Sequence, residues 1–159
     1  MRALPILLAL AAIAGAAPAS AQSDTQDVTV VVEEVSEITI SNDVSLTLNA
    51  ASAGGGFDDA TNSGSTYDVT TNGSNKKITA QLGADYATGI SLAVQLVAPS
   101  GATAASAQTL SASSAVDLVT SITQVSSSGL GITYTASATA AAQANGAGET
   151  QTVTFTVTD

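Results

Sequence analysis

The sequence contains no cysteine, no histidine and no tryptophan, and its single arginine and single methionine both stand at its start. Without cysteine, the chain can form no disulfide scaffold, no thiolate metal site and no thiol nucleophile. Without histidine, it lacks the side chain that most often transfers protons at neutral pH. These absences remove the usual parts of an active site, so the sequence predicts a protein that is not an enzyme.

The first 21 residues have the three parts of a secretory signal peptide. Met1-Arg2 supplies a positive charge, Leu4 to Ala14 is largely apolar, and Ala19-Ser20-Ala21 provides small residues for cleavage. A membrane anchor is the alternative, but the apolar run is shorter than the about 20 residues that span a bilayer. We expect an exported bacterial protein, periplasmic, on the cell surface or extracellular. Its mature form would be one domain over residues 22–159, without a membrane span.

Acidic residues dominate the charge of the predicted mature chain. Its only cations are Lys76 and Lys77, which stand against 13 Asp and Glu residues. This excess of negative charge repels phosphates and anionic lipids, because the chain has no basic patch that could release their counterions. We therefore expect no nucleic-acid partner. Both lysines lie beside an Asn-Gly turn, where we expect them to be solvated.

Alternation of apolar and polar residues predicts strands through most of this domain. The alternating runs are residues 27–33, 37–41, 44–48, 67–71, 77–82, 90–97, 130–138 and 150–158. Residues 116–122 fit either a strand or a helical turn. Together they indicate about eight or nine short strands and no amphipathic helix that could cover a parallel sheet. The sequence therefore predicts an all-β fold, an antiparallel β-sandwich of immunoglobulin-like or jelly-roll type.

Turn residues separate these runs. Residues 50–66 are rich in glycine and polar side chains and predict a long loop. Asn72-Gly73 lies between two alternating runs, which is a strong signal for a hairpin turn, although the spacing through Asn75 and Lys76 suits a slightly longer loop equally well. Asn145-Gly146 gives a similar turn signal before the last strand.

The predicted loop holds the only group of residues that suggests a metal. Asp58, Asp59 and Asn62 carry oxygen side chains close to glycine, and oxygen is the ligand that Ca²⁺ prefers. The same residue types are common in any surface loop, and the spacing matches no calcium motif. We therefore expect no cofactor, with calcium at these three residues as the alternative. Asp58 and Asp59 are also adjacent carboxylates, but neighbours in an extended chain point apart.

The mature N-terminus carries an alternating run directly after a polar lead. Val28, Val30 and Val32 fall on one face of residues 27–33. A strand near a free end can pair with the sheet edge of a neighbouring molecule, which is β-strand addition. The alternative is that the run is the first edge strand of a closed monomer. If the run does add to a neighbouring sheet, its partners would be other copies of the chain or other surface proteins.

Several stretches resemble a diffuse group of small secreted bacterial β-sandwich proteins of immunoglobulin-like and fimbrial type. These stretches are Ser65-Thr-Tyr67, Lys76 to Ala80, Gly89 to Leu92, Gln108 to Leu110, Asp117 to Val119 and Thr152 to Thr158. The resemblance implies a surface or matrix protein and no particular binding residues. The chain differs from chaperone–usher pilins, because it has no cysteine pair and ends in Val157-Thr158-Asp159 without a penultimate tyrosine.

From these observations we expect an exported structural protein, a filament or matrix subunit that assembles by β-strand addition through residues 27–33. The alternative is a monomeric binding module for carbohydrate or another cell-surface ligand.

Overall fold

The computed structural model describes residues 20–159, so most of the predicted signal peptide lies outside the described residues. The chain divides into two units, Met1–Val32 and Glu33–Asp159, and the second unit holds every strand discussed below. The described residues contain no helix. This confirms the all-β prediction.

Nine strands form two antiparallel sheets. They are β1 (Ser36–Ile40), β2 (Ala60–Thr71), β3 (Lys76–Leu82), β4 (Ile90–Leu96), β5 (Thr103–Ala104), β6 (Gln108–Thr109), β7 (Val116–Ile122), β8 (Val125–Ala138) and β9 (Val153–Thr158). The first sheet has the order β1-β2-β8-β4-β6, and the second has the order β5-β7-β3-β9. All neighbouring strands are antiparallel. The predicted antiparallel β-sandwich is therefore confirmed.

The core is built from alternate residues of the long strands. Tyr67 and Val69 of β2 point inward, as do Ile78 and Ala80 of β3, and all four are at most 1% exposed. Successive side chains of a strand point to opposite faces, so each strand contributes one apolar row and leaves the other in solvent. The other buried apolar residues are Leu82, Leu92, Val94, Leu96, Leu110, Leu118, Val119, Ile122, Ile132, Tyr134 and Ala136.

The chain passes from one sheet to the other at each connection from β2 to β9. In an immunoglobulin domain several consecutive strands are neighbours in one sheet, whereas a jelly roll divides them between two sheets. The strand order therefore agrees with the jelly-roll type. The hairpin predicted at Asn72-Gly73 is wrong, because β2 and β3 lie in different sheets. The Asn145-Gly146 loop also joins the two sheets.

The loop predicted over residues 50–66 is too long, because β2 already begins at Ala60. This first half of β2 has few apolar residues and pairs with β8, with a register shift between Asn62 and Ser65. Pairing with a long neighbour, rather than its own alternation, makes this segment a strand. Residues 116–122 form a strand, and the positive φ of 60° at Ser121 marks its irregular pairing with β3.

Two predicted strands are not regular strands in the structure. Residues 27–33 and 44–48 have no ladder pairing, although both alternate. Asn42 has a φ of 56°, which turns the chain immediately after β1. Residues 44–48 then continue beside the first half of β2, held there by side chains rather than by a backbone ladder. The side-chain Nδ2 of Asn62 donates a hydrogen bond to the Ser45 carbonyl over 3.5 Å.

Candidate functional site: the open edge of the sandwich

The sandwich has one protected side and one open side. On the protected side the two sheets end in β6 and β5, each of two residues. On the other side they end in β1, of five residues, and β9, of six residues, and these two strands lie next to each other. Short edge strands offer little backbone for pairing with another chain, whereas long ones are a template for it. The open side is therefore where the fold can accept a further strand.

The free edge of β9 presents unpaired backbone groups. The Thr152 carbonyl accepts a hydrogen bond from the Gly83 amide over 2.8 Å, so the backbone groups of Thr152 point toward β3. Because these groups alternate in direction along a strand, those of Val153, Phe155 and Val157 point away from β3. In the part of the chain that the structure describes, β9 pairs with β3 alone. Three amides and three carbonyls are thus available at this edge.

A groove of about 1450 Å³ runs along this side between the two sheets. Its lining includes the extended residues 44–48, residues 142–152 of the loop that precedes β9, and Val153 and Phe155 of β9. Tyr134 and Ala136 of β8 also line it. Val44, Leu46 and Leu48 face inward, but like the inward residues of β9 they are only half-buried. The apolar rows at this side are therefore incompletely covered, in contrast to the sealed rows of β2 and β3.

The N-terminal segment carries the most exposed large apolar side chains of the described residues. Residues 20–35 have no regular secondary structure. Val28 is 77% exposed, and Val30 and Val32 are each 79% exposed. Val31, on the other face of the segment, is also exposed. Apolar side chains are exposed singly on most proteins, but a contiguous exposed run indicates an interaction site.

Asn72 fixes the residues that join this segment to β1. Its Oδ1 accepts a hydrogen bond from the Val35 amide over 2.8 Å, and its Nδ2 donates one to the Glu33 carbonyl, also over 2.8 Å. Asn72, on which the wrong hairpin prediction was based, therefore has a structural role. It holds the start of β1 against the connection between β2 and β3.

Lys76 is not solvated, contrary to expectation. The residue is only 7% exposed, and its Nζ forms ion pairs with Asp159 and, over 2.6 Å, with Glu34. The hydrogen bonds that Lys76 donates to the carboxylates of Asp159 and Glu34 raise the pKa of Lys76, because they favour its charged form. Glu34 precedes β1 and Asp159 follows β9, so this lysine connects the two edge strands at one end of the open side. The Nζ of Lys77 lies 3.7 Å from the Oδ1 of Asp117.

The three calcium candidates lie on either side of the start of β2. Asp58 and Asp59 are exposed in the chain before β2. Asn62 lies within β2, and its Oδ1 accepts a hydrogen bond from the Gly64 amide over 2.8 Å. Over residues 20–159, no group of three or more acidic side chains is arranged to hold a metal ion. Calcium at these residues stays a prediction that solution measurements must test.

No protein-family model, curated protein or solved structure matches this chain. Residues 20–159 also include no helix with the length and apolar character needed to cross a membrane. Functional arguments for this protein therefore rest on its own residues.

Alternation singled out Val28, Val30 and Val32 in the sequence, but not the residues of the groove. Leu46 and Phe155 alternate like any strand residue, and their special position follows only from which strands are left at the edges. The one sequence feature that points to this side of the sandwich is that two alternating runs, residues 27–33 and 44–48, flank β1.

Proposed function

We propose that this protein is an exported structural subunit that assembles with other copies by β-strand addition through residues 27–33. The exposed row of Val28, Val30 and Val32 is the observation that carries the proposal. A soluble chain gains nothing from three alternating valines in solvent, whereas a strand that docks on a sheet must have such a row. The predicted signal peptide and the resemblance to secreted surface proteins support a role outside the cytoplasm.

Docking the three valines would bury apolar surface, and this burial favours assembly. Burying one valine side chain contributes about 1.5 kcal/mol or more, so three contribute roughly 5 kcal/mol. Backbone hydrogen bonds along the added strand contribute further. Ordering the segment and losing translational freedom oppose these gains, so we expect a single contact to be weak and assembly to depend on protein concentration.

The symmetry of such a contact determines the product. A terminal segment that docks on a different surface of the next copy makes a heterologous contact, and repetition of that contact gives an open polymer unless the ring closes. The proposal therefore predicts filaments or extended oligomers that grow with concentration, not a discrete symmetric dimer.

Size-exclusion chromatography with light scattering, followed by negative-stain microscopy, tests the proposal. The wild-type protein should form species larger than a monomer. Val30→Asp should abolish them, because it places a charge in the row that docks. Thr29→Asp is the matched control, since it adds the same charge on the opposite face of the same segment. A wild-type protein that stays monomeric at all concentrations contradicts the proposal.

A second candidate function is a monomeric binding module for carbohydrate. The groove favours it, because Phe57 and Tyr86 line it together with the amide side chain of Asn145. Sugar sites combine aromatic surfaces with a few polar groups. A glycan array screened with the monomeric protein tests this function, and Tyr86→Ala should remove any signal. Binding of a defined glycan by a monomer that never assembles would favour this candidate over the first.

A further inference from the structure

We infer that the acceptor for the N-terminal strand is the free edge of β9, together with the adjoining groove, in a second copy of the chain. This inference rests on the proposed function, because it assigns the surface on which residues 27–33 dock. The added strand would extend the second sheet beyond β9 and cover the open side of the sandwich.

The backbone of the edge matches the backbone of the segment. Val153, Phe155 and Val157 turn their amides and carbonyls away from β3, toward the open side. The six residues of β9 are about 20 Å long at 3.3 Å per residue, and residues 27–33 have nearly the same length when extended. A docked segment can therefore satisfy the whole edge without a gap.

The side chains define the register. Antiparallel pairing places inward residues directly opposite inward residues when Val28 faces Val157, Val30 faces Phe155 and Val32 faces Val153. Each valine then lies in the row that β9 leaves half-buried. Residues 44–48 line the same groove, and their inward apolar side chains would contact the docked valines.

The composition of the segment fits a strand bounded at both ends. Residues 28–32 carry no charge, so burying them removes no ionised group from water. Asp27 and Glu33 flank this stretch. In the proposed register they lie beyond the two ends of the inward row, where they stay in solvent. The apolar part of the docked segment is therefore the five residues between them, with one carboxylate at each end.

The direction of the chain favours a segment from a second copy. Lys76 bridges Glu34 and Asp159, so residue 34, which directly follows the N-terminal segment, lies beside the C-terminal end of β9. A segment that folded back along β9 of its own chain would have to run parallel to it. All other strand pairs of the fold are antiparallel, and antiparallel pairing is the more stable arrangement. A second copy can enter the groove in that direction.

Disulfide trapping tests both the edge and the register. Thr29 and Thr156 are exposed, face away from the core and lie directly opposite each other in the proposed register. Two single variants of the full chain, Thr29→Cys and Thr156→Cys, are mixed and oxidised. Since the protein has no cysteine of its own, any covalent heterodimer reports this contact. The matched control replaces Thr156→Cys with Thr39→Cys, an exposed position in the middle of β1, the other edge strand.

We expect at least about tenfold more heterodimer with Thr156→Cys than with Thr39→Cys, because a disulfide forms only where the Cα atoms approach within about 7 Å. Predominant trapping at Thr39→Cys, or no trapping in a protein that still assembles, overturns the inference while the proposed function stands. A wild-type protein that does not assemble removes both. In a chain carrying both cysteines, an intramolecular disulfide in the monomer also overturns it, because the segment then fills its own groove. Circular dichroism of each variant verifies that these surface changes leave the fold intact.

Discussion

The hydroxyl group of Tyr67, which is 1% exposed, donates a hydrogen bond to the backbone carbonyl of Val97 over 2.6 Å. It joins the centre of β2 to the residue that follows β4, on the inner side of the first sheet. Burial raises the pKa of Tyr67 to about 12, and it raises the pKa of Tyr134 to about 12 as well. The core thus contains two phenols that the fold holds in the neutral form.

We predict that the protein loses stability between pH 10 and pH 12. A tyrosine of the unfolded chain ionises near pH 10, about two units below these buried ones. Below pH 10 both states keep their protons and the stability is fully present. Between pH 10 and pH 12 the unfolded chain loses these protons while the folded chain still holds them, so by pH 12 unfolding is favoured by on the order of 2 kcal/mol for each residue.

Urea unfolding at a series of pH values measures this loss, and absorbance at 295 nm follows tyrosinate. Tyr67→Phe should flatten the pH dependence and cost about 1 kcal/mol at pH 8 through its hydrogen bond. Tyr86→Phe is the comparison: burial also raises the pKa of Tyr86, but this side chain is only half-buried, so its removal should flatten the pH dependence less. A pH dependence that is the same in wild type and Tyr67→Phe would contradict the prediction. The pKa of Lys76 is also raised and acts in the same direction, which both variants share.

Asn72→Ala should release the residues that precede β1. It removes the two hydrogen bonds to Val35 and Glu33, and we expect a loss of about 1–2 kcal/mol in the free energy of unfolding. Hydrogen exchange at the Val35 amide should become much faster, since that amide loses its acceptor. Asn145→Ala, in an exposed loop, is the matched control. Unchanged exchange at Val35 in Asn72→Ala would show that the side chain does not hold this segment.

Gly89→Ala should destabilise the protein far more than Gly101→Ala. Both glycines have positive φ, 88° and 84°, so a side chain strains either one by about 1 kcal/mol. A Cβ at Gly89 would also lie 2.5 Å from the Ala142 amide nitrogen, whereas nothing lies within 4 Å at Gly101. We expect a total loss of about 3 kcal/mol for Gly89→Ala. Thermal unfolding compares the two, and equal losses would contradict the close approach.

Assembly should strengthen with salt. Each mature copy would carry two lysines against 13 acids, and the proposed register brings Asp27 close to Asp159, so neighbouring copies repel one another. Screening at high ionic strength reduces that repulsion, because the Debye length falls from about 10 Å at 0.1 M to about 3 Å at 1 M salt. Light scattering at increasing sodium chloride measures the effect. Asp27→Asn should assemble at lower salt than wild type, and Asp24→Asn, outside the docked stretch, should change little.

The same experiment tests calcium. Calcium chloride and sodium chloride are compared at matched ionic strength. Equal responses indicate screening alone. A response specific to calcium that Asp58→Asn/Asp59→Asn removes would support the predicted calcium residues.

Alternation predicted the parts of the fold in which one face is sealed. The inward rows of β2 and β3, such as Val69 and Ile78, are apparent from the sequence because a buried face demands apolar residues at every second position. The first half of β2 was not predicted as a strand, because its residues are mostly polar and its extended form depends on pairing with β8. Residues 44–48 were predicted as a strand because their side chains do face inward, but the turn at Asn42 removes them from the backbone ladder.

The candidate site was predictable only on the donor side. The valines of residues 27–33 are adjacent in sequence, so their periodicity is visible without a structure. The groove depends on which strands are left at the edges, and that follows from pairings between distant parts of the chain, such as β9 with β3. The Asn72-Gly73 dipeptide illustrates the same limit. A local turn signal specifies that the chain turns, and not the sheet to which it returns.

The passage of the chain between the two sheets also bears on how such a protein could leave the cytoplasm. From β3 to β9 no strand pairs with the one that precedes it, so β1 with β2 is the single pairing of consecutive strands among the described residues. Folds that depend on distant pairings form slowly, because loop closure precedes any gain from the contacts. In the export proposed above, slow folding of this kind would help to keep a newly made chain unfolded for translocation. Its sheets would then be completed on the far side of the membrane, where the proposed partner copies would also be.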